Sequence, residues 1–290
     1  MVEGLKKSIE KCLSPKEKPL DPAYVRAVIL KTYELKSAHR ILNIAQQQEI
    51  TSNRFSMWKF CIFVHKLLHE GHQQILYDSF EYVQQFVILG NFWTAQSTHH
   101  LSQCIASYCQ LLQRKLTFHQ TYRHFKGNFE YEYEKDLDLN TVYQLSLDMC
   151  DYLQDLLHLQ RLIFINLKTD QIIPDSKKGL CRLTALVTIL AECNLLYRHT
   201  VDVLRLLHSQ LPPDDISGLT ERFNNNIFVE LQRFYEQVRL ISVPSNYFEI
   251  PELPVTSPIV TDQYYGTSSM ASMANRNNHE LSAPFFNDFD

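Results

Sequence analysis

Apolar residues recur every three or four positions along four long segments of this 290-residue chain. This spacing places them on one face of an α-helix, whereas a half-buried strand alternates apolar and polar residues. We therefore predict long helices near 98–118, 141–168, 180–209 and 217–240. The chain holds seven glycines, which is few for a β-rich or dinucleotide-binding chain with many tight turns. The sequence predicts an all-α fold.

Four shorter helices precede the long ones, and their ends carry recognisable signals. The predicted ranges are 3–12, 22–33, 36–47 and 53–70. Asp21 followed by Pro22 is typical of a helix start, because Asp accepts hydrogen bonds from free backbone N–H groups and Pro fits the first turn. Gly71 is predicted to end the 53–70 helix in a left-handed conformation. Together these patterns predict about ten helices.

The remaining segments lack this periodicity. Segments 119–140 and 169–180 are predicted to be loops. After 250–254, which has the sequence IPELP, the chain becomes rich in Ser, Thr, Asn and Pro. Such a composition buries too little apolar surface to offset the entropy of ordering. We expect one helical domain over 1–254 and a disordered tail over 255–290.

Cysteine usage and the N-terminus indicate a cellular compartment. Seven cysteines are scattered without a Cys-x-x-Cys pair, which favours reduced thiols over a disulfide framework or a zinc ribbon. The first residues, MVEGLKKSIEKC, lack the apolar run of a signal peptide. No uninterrupted apolar run of about 18 residues is present to span a bilayer. We expect a soluble, cytoplasmic protein.

Charge is unevenly distributed along the chain. Residues 1–40 hold nine basic and five acidic residues, whereas the remainder holds 19 basic and 27 acidic residues. A basic N-terminal region on an acidic body suggests contact with an anionic partner. The alternative is an ordinary solvated, lysine-rich end of the chain.

Three histidines stand out in the stretch MWKFCIFVHKLLHEGH, residues 57–72. His65, His69 and His72 lie at i, i+4 and i+7, a spacing that on a helix could hold a metal. A metalloprotease helix needs His-Glu-x-x-His, and the segment beginning at His69 is one residue short of it. We favour packing and capping roles over a metal site, and keep a metal-dependent enzyme as an open alternative. Since no other catalytic motif is present, we expect neither an enzyme nor a cofactor.

The same stretch resembles the signature of ANTH domains, in the branch of the huntingtin-interacting proteins and the related yeast endocytic adaptor. The resemblance continues through KSIEKCLS, YVRAVILKTY, LTFHQTYRHFKGNFEYEYE and the closing IPELP, and covers about residues 3–254. It implies a right-handed superhelical stack of helices, as in VHS-like domains, and no metal at the histidines.

The resemblance also implies a function. ANTH domains bind phosphoinositide headgroups, with phosphatidylinositol 4,5-bisphosphate as the expected one, on the cytosolic leaflet of the plasma membrane. They act at clathrin-coated pits and vesicles, with clathrin and epsin-type adaptors as partners, and full-length relatives link coats to actin. We expect the same partners here and no nucleic acid.

The family holds the headgroup with lysines at the end of the first helix and the start of the second. In an ungapped alignment Lys11 takes the first of these positions and Tyr24 the last. The two basic positions between them fall on Asp21 and Ala23. Asp21 is expected to cap the second helix with its own carboxylate, where a phosphate would otherwise bind.

An alternative register places basic residues in the loop after the first helix. It begins at Lys6, continues with Lys16 and Lys18, and is followed by Pro19 in place of histidine. The resulting candidate phosphoinositide site is Lys7, Lys11, Lys16, Lys18 and Tyr24. The alternative is a solvated basic loop with weak membrane affinity.

Two further expectations concern the context of the domain. With weak lipid affinity, the domain would act as a protein-interaction scaffold for an epsin-type domain or a SNARE protein. The coiled coil and the talin-like module of full-length relatives do not follow residue 254, so we expect a fragment or a short isoform. The final residues, PFFNDFD at 284–290, are similar to peptides that bind adaptor appendages.

Overall fold

The computed structural model describes residues 2–96, 99–131, 138–241 and 250–259. These residues contain helices and no strand, which confirms the all-α prediction. The α-helices are α1 Val2–Cys12, α2 Pro22–Leu35, α3 His39–Gln46, α4 Arg54–Glu70, α5 Gln73–Asp78, α6 Val83–Ala95, α7 His100–Thr121, α8 Leu139–Thr169, α9 Lys177–Leu183, α10 Ala185–Gln210, α11 Pro213–Glu221 and α12 Val229–Arg239. Short 3-10 helices lie at Ile50–Ser52, before α4, and at Ser79–Tyr82, before α6.

The helices stack so that each long helix packs on its neighbours in the chain. Helix α6 packs on α7, α7 on α8, and α8 on α10, while α1 packs on α2. Helix α4 contacts α7 and α10, and every residue from Ser56 to His65 is buried. Because α4 is surrounded by other helices, even its polar side chains Lys59 and His65 lie in the interior. Those two side chains must therefore find partners inside the protein.

Two of the predicted long helices are interrupted. The helix predicted at 180–209 is divided at Thr184 into α9 and α10. The helix predicted at 217–240 consists of α11, a π-helical segment Arg222–Phe228 and α12. Periodicity alone did not reveal either interruption, because apolar residues continue at steps of three or four through both segments. Helix α6 was not predicted, because Val83–Ala95 contains no charged residue to mark a polar face.

Gly71 ends α4 as predicted, but its predicted left-handed conformation is wrong. Its backbone is extended, with φ −79° and ψ 172°. The glycine is required for a different reason, since a Cβ atom there would lie 2.4 Å from the carbonyl oxygen of Leu67. His72 follows immediately and caps α5, where its Nδ1 accepts a hydrogen bond from the Gln74 N–H at 3.1 Å.

The chain after the last helix returns to the helical stack. Ile259 is buried, and its carbonyl accepts a hydrogen bond from Asn224 Nδ2 at 2.9 Å. The Nε2 atom of Gln232 donates to the carbonyls of Pro254 and Val255, each at 3.1 Å. Residues 260–290, including PFFNDFD, lie outside the described residues.

One described stretch, Lys177–Gln210, is long and apolar enough to cross a membrane by length and composition. In the fold, 67% of its apolar window is buried. Helix α10 packs against α8 and α4, so its apolar residues are covered by other helices. Burial of this kind is typical of a core helix, which passes the same test of length and composition.

Candidate functional site

The first two candidate lysines lie on the outer face of α1. Leu5, Ile9 and Cys12 are buried and fix the orientation of this helix. Lys7 and Lys11 are four residues apart and exposed, so they lie one above the other on the solvent side. Their ammonium groups extend from a rigid, packed helix toward solvent.

The loop that follows α1 presents Lys16 and Lys18, and a buried lysine from α4 holds it in place. Lys59 is completely buried, and its Nζ donates to the carbonyls of Ser14 and Lys16, each at 2.6 Å. It also donates to Ser14 Oγ at 3.1 Å. Because the carbonyl of Lys16 is bound on the inside, the exposed side chains of Lys16 and Lys18 are available on the outside.

A second anchor neutralises Glu17, one of the two acidic residues between α1 and α2. Glu17 accepts a hydrogen bond at 2.7 Å from Nη2 of Arg182, whose side chain is buried beneath the loop. Arg182 Nε in turn donates to Asn166 Oδ1 at 2.9 Å. Lys178 also lies near Glu17, at 3.9 Å. Lys59 and Arg182 were not predicted as site residues, because their connection to the loop exists only in the tertiary structure.

The start of α2 carries the acidic cap that the sequence predicted. Asp21 Oδ1 accepts a hydrogen bond from the Ala23 N–H at 3.1 Å, which confirms its role as N-cap. Its carboxylate occupies the end of the helix that would otherwise attract an anion. Tyr24, the last candidate, is half-buried and packs against the core. Its ring is therefore held by packing rather than extended into solvent.

The histidines of the signature meet a buried carboxylate. His65 is buried, as predicted, and its Nδ1 lies 3.0 Å from Tyr108 Oη. Its Nε2 lies 3.0 Å from Glu192 Oε2. His69 joins the same carboxylate through Nδ1, 3.0 Å from Glu192 Oε1. His65 and His69 thus share a partner, while His72 turns away to cap α5.

A buried lysine completes this cluster. Lys115 Nζ donates to Glu192 Oε1 at 2.7 Å and to the carbonyl of Gly127 at 2.6 Å. The hydroxyl of Tyr152 donates to Glu192 Oε2 at 2.7 Å. Glu192 therefore joins α4, α7 and α8 to α10, which is a structural role. A positive charge already lies beside the carboxylate, where a metal ion would have to bind.

The pKa shifts indicate that Glu192 and Lys115 are both charged and that their charges balance each other. Burial opposes ionisation of Glu192, but His65 and Lys115 outweigh it and hold its pKa well below the usual value. Burial lowers the pKa of Lys115, with Glu192 acting in the opposite direction. Burial also lowers the pKa of His65, so its ring is neutral near pH 7. The cluster thus consists of Glu192 carboxylate, Lys115 ammonium and a neutral His65.

Solved structures of other proteins share this fold. The ENTH domain from epsin-2, in complex with phosphatidylinositol 4,5-bisphosphate, matches with a TM-score of 0.78 and 26% sequence identity, over 87% of this chain and 97% of that one. The endocytic adaptor complex AENTH matches with a TM-score of 0.71 and 24% identity, over 87% of this chain and 98% of that one, a likeness of fold alone. The helical stack is thus the superhelical fold of ENTH and ANTH domains.

Sequence comparison identifies the family within this fold. The ANTH domain model matches residues 4–265, and the chain belongs to the ANTH domain family. Huntington interacting protein related 1 of Caenorhabditis elegans is 30% identical over 258 residues, which are 87% of this chain and 27% of that protein. Human huntingtin-interacting protein 1 is 30% identical over 256 residues, 87% of this chain and 24% of that protein. The chain thus spans about a quarter of the length of these relatives.

Proposed function

We propose that this domain binds phosphoinositide headgroups on a membrane surface, as a non-enzymatic part of an endocytic adaptor. Membership of the ANTH family supports this proposal, as does the likeness to an ENTH domain solved with phosphatidylinositol 4,5-bisphosphate. The observation that carries it is the loop after α1, whose exposed lysines project from a backbone held by buried Lys59.

The proposed binding surface consists mainly of exposed lysine side chains rather than a pocket. Lys7 and Lys11 supply it from α1, Lys16 and Lys18 from the loop, and Tyr24 borders it on α2. Several ammonium groups at close range bind a polyphosphate by charge and hydrogen bonding without a cavity. Each lysine near an anionic leaflet contributes about 1 kcal/mol. We propose that the domain acts on the cytosolic face of the plasma membrane at clathrin-coated pits and vesicles, with clathrin and epsin-type adaptors as coat partners.

Sedimentation with liposomes tests this proposal. Vesicles of phosphatidylcholine with or without phosphatidylinositol 4,5-bisphosphate are compared for the wild type and the triple variant Lys11→Ala/Lys16→Ala/Lys18→Ala. Because the three side chains are exposed, the variant should keep its helical circular dichroism and its melting temperature. We expect its affinity to fall by up to about two decades, since about 1.4 kcal/mol corresponds to a factor of ten. Equal binding by both proteins would place the site elsewhere.

A second function is favoured by one specific feature, the carboxylate of Asp21 at the start of α2. It repels phosphate at the position where family members carry a basic residue. If the wild type does not sediment with these vesicles at low salt, the domain acts as a scaffold that binds an epsin-type domain or a SNARE protein. Pull-down with a purified ENTH domain would then detect the partner in the absence of lipid.

A further inference from the structure

Two lysines distant in sequence lie next to the candidate loop. Lys177 and Lys178 begin α9 and are both exposed. Lys178 Nζ lies 3.9 Å from Glu17 Oε2, and its side chain is 66% exposed. Glu17 lies between Lys16 and Lys18 in the loop. The contact therefore places the start of α9 beside the loop lysines, although about 160 residues of sequence separate them.

The charge of this region depends on which cation neutralises Glu17. Arg182 binds the carboxylate at 2.7 Å, and its own side chain is only 2% exposed. This is a close, sheltered ion pair, whereas a contact of 3.9 Å made by an exposed lysine contributes little and is readily exchanged. Lys178 is thus not required to neutralise Glu17, and its ammonium group is available to an external anion.

The positive charge that remains lies on exposed side chains of the loop and of the start of α9. Lys16, Lys18, Lys177 and Lys178 are all exposed. The opposing groups close in sequence are Glu17, already bound by Arg182, the exposed Asp175 two residues before Lys177, and Asp21 three residues after Lys18. With four lysines against the carboxylates of Asp21 and Asp175, this region keeps a positive balance.

We propose that Lys177 and Lys178 extend the phosphate-binding surface, so that α9 contacts the anionic leaflet together with the loop after α1. The proposal rests on the proposed membrane function and adds residues that the lysine motif of the first two helices does not include. The ligand chemistry is an anionic phosphate group, either on a lipid headgroup in a bilayer or on a soluble inositol phosphate. Anchoring of Glu17 by Arg182 gives the two lysine pairs a fixed relative position.

Charge reversal at α9 tests this inference. Vesicles of phosphatidylcholine with phosphatidylinositol 4,5-bisphosphate are sedimented with the wild type and with Lys177→Glu/Lys178→Glu, at low and at physiological salt. We expect the variant to bind at least about tenfold more weakly and to show a shallower dependence on salt. Lys177→Arg/Lys178→Arg, which keeps both charges, should bind like the wild type. Circular dichroism and thermal melting verify that each variant is folded.

A matched control changes the same amount of charge far from the loop. Arg198 and Arg205 are exposed on α10, about 20 Å and about 30 Å along the helix axis from its start. Arg198→Glu/Arg205→Glu lowers the net charge equally, so a purely long-range effect of charge would weaken binding as much as the α9 variant does. We expect clearly weaker loss in this control. Equal loss in both double variants would overturn the inference.

Two further experiments distinguish the two ligand sources and separate this inference from the proposed membrane function. Calorimetry with soluble inositol 1,4,5-trisphosphate should show reduced binding by the α9 variant if these lysines contact the headgroup itself. If they contact the leaflet around it, only vesicle binding falls, and vesicles with matched phosphatidylserine charge show the same loss. Wild-type binding by an α9 variant, together with loss in Lys16→Glu/Lys18→Glu, would overturn this inference while the membrane function stands. Absence of wild-type binding to any vesicle would overturn both.

Discussion

Replacement of Lys59 by methionine separates the loop lysines from the support beneath them. Methionine keeps an unbranched side chain of similar length, so the packing of α4 is largely preserved. It removes the three hydrogen bonds from Nζ to Ser14 and Lys16. The carbonyls of Ser14 and Lys16 then lose a charged donor, while no exposed lysine of the candidate site is altered.

The size of the effect follows from these contacts. A buried polar group left without its partner costs about 1–3 kcal/mol, and here two carbonyls are affected. Two factors reduce the total. Burial of the Lys59 ammonium is itself unfavourable, since burial lowers the pKa of Lys59, and the loop carbonyls can turn toward water. We expect a loss of about 2 kcal/mol in the free energy of unfolding, and a fall in melting temperature of about 4–8 °C.

Without the Lys59 anchor the loop is less ordered in the free protein, so membrane binding must order it again. Fixing the backbone of one residue costs about 1–2 kcal/mol, and about 1.4 kcal/mol is a tenfold change in affinity. We therefore expect Lys59→Met to bind phosphatidylinositol 4,5-bisphosphate vesicles about tenfold more weakly. Limited trypsin digestion should also cut faster after Lys16, since local release of the loop exposes this bond. The bond after Lys18 precedes Pro19 and resists trypsin.

Lys115→Met is the matched control, because it removes another fully buried lysine from a different part of the core. It should destabilise the domain without changing vesicle binding or cleavage after Lys16, measured at a temperature where circular dichroism shows both variants folded. If Lys59→Met and the wild type bind vesicles equally, the loop does not need its anchor, and this reasoning is wrong. Equal melting temperatures would refute the hydrogen-bond estimate.

Three other predictions concern the buried cluster and the helix cap. Glu192→Ala should lower the free energy of unfolding in urea by about 3–5 kcal/mol because it leaves Lys115 as an unpaired buried charge, and Glu192→Leu/Lys115→Met should recover much of that loss. Burial lowers the pKa of His65 and of His119 below their ordinary 6.5. The unfolded chain therefore binds more protons than the folded one, and stability should decrease as pH falls below about 6.5. A melting temperature that is unchanged from pH 7.5 to 5.5 would contradict this. Asp21→Asn keeps a capping side chain but removes an anion beside the candidate site. It should strengthen vesicle binding about fivefold at unchanged stability. Unchanged binding would show that this carboxylate does not face the lipid.

Local sequence signals were sufficient for several elements of the fold. Asp21 and Pro22 predicted the start of α2, and the observed cap has the expected hydrogen bond. The apolar spacing predicted the long helices α7 and α8 to within a few residues, because each must bury one continuous stripe. In α6, which contains no charged residue to mark a polar face, the pattern gave no prediction.

Other features depend on contacts between distant residues and could not be predicted. A pattern that marks Gly71 as a helix end does not distinguish a left-handed cap from close approach to the Leu67 carbonyl, which is what the structure shows. The histidine spacing equally suits a metal or a shared acid, and only the packing of α10 on α4 brings Glu192 to His65 and His69.

The sequence by itself determined the helical class, the family and the lysines of the N-terminal region, since these follow from periodicity, motif and composition. Only the tertiary structure decided how those lysines are presented. Lys59 contacts the loop from 43 and 45 residues away, and Arg182 contacts it from 165 residues away. The reason is physical: buried charges must find partners, and which partners lie within hydrogen-bond distance is set by how the helices pack.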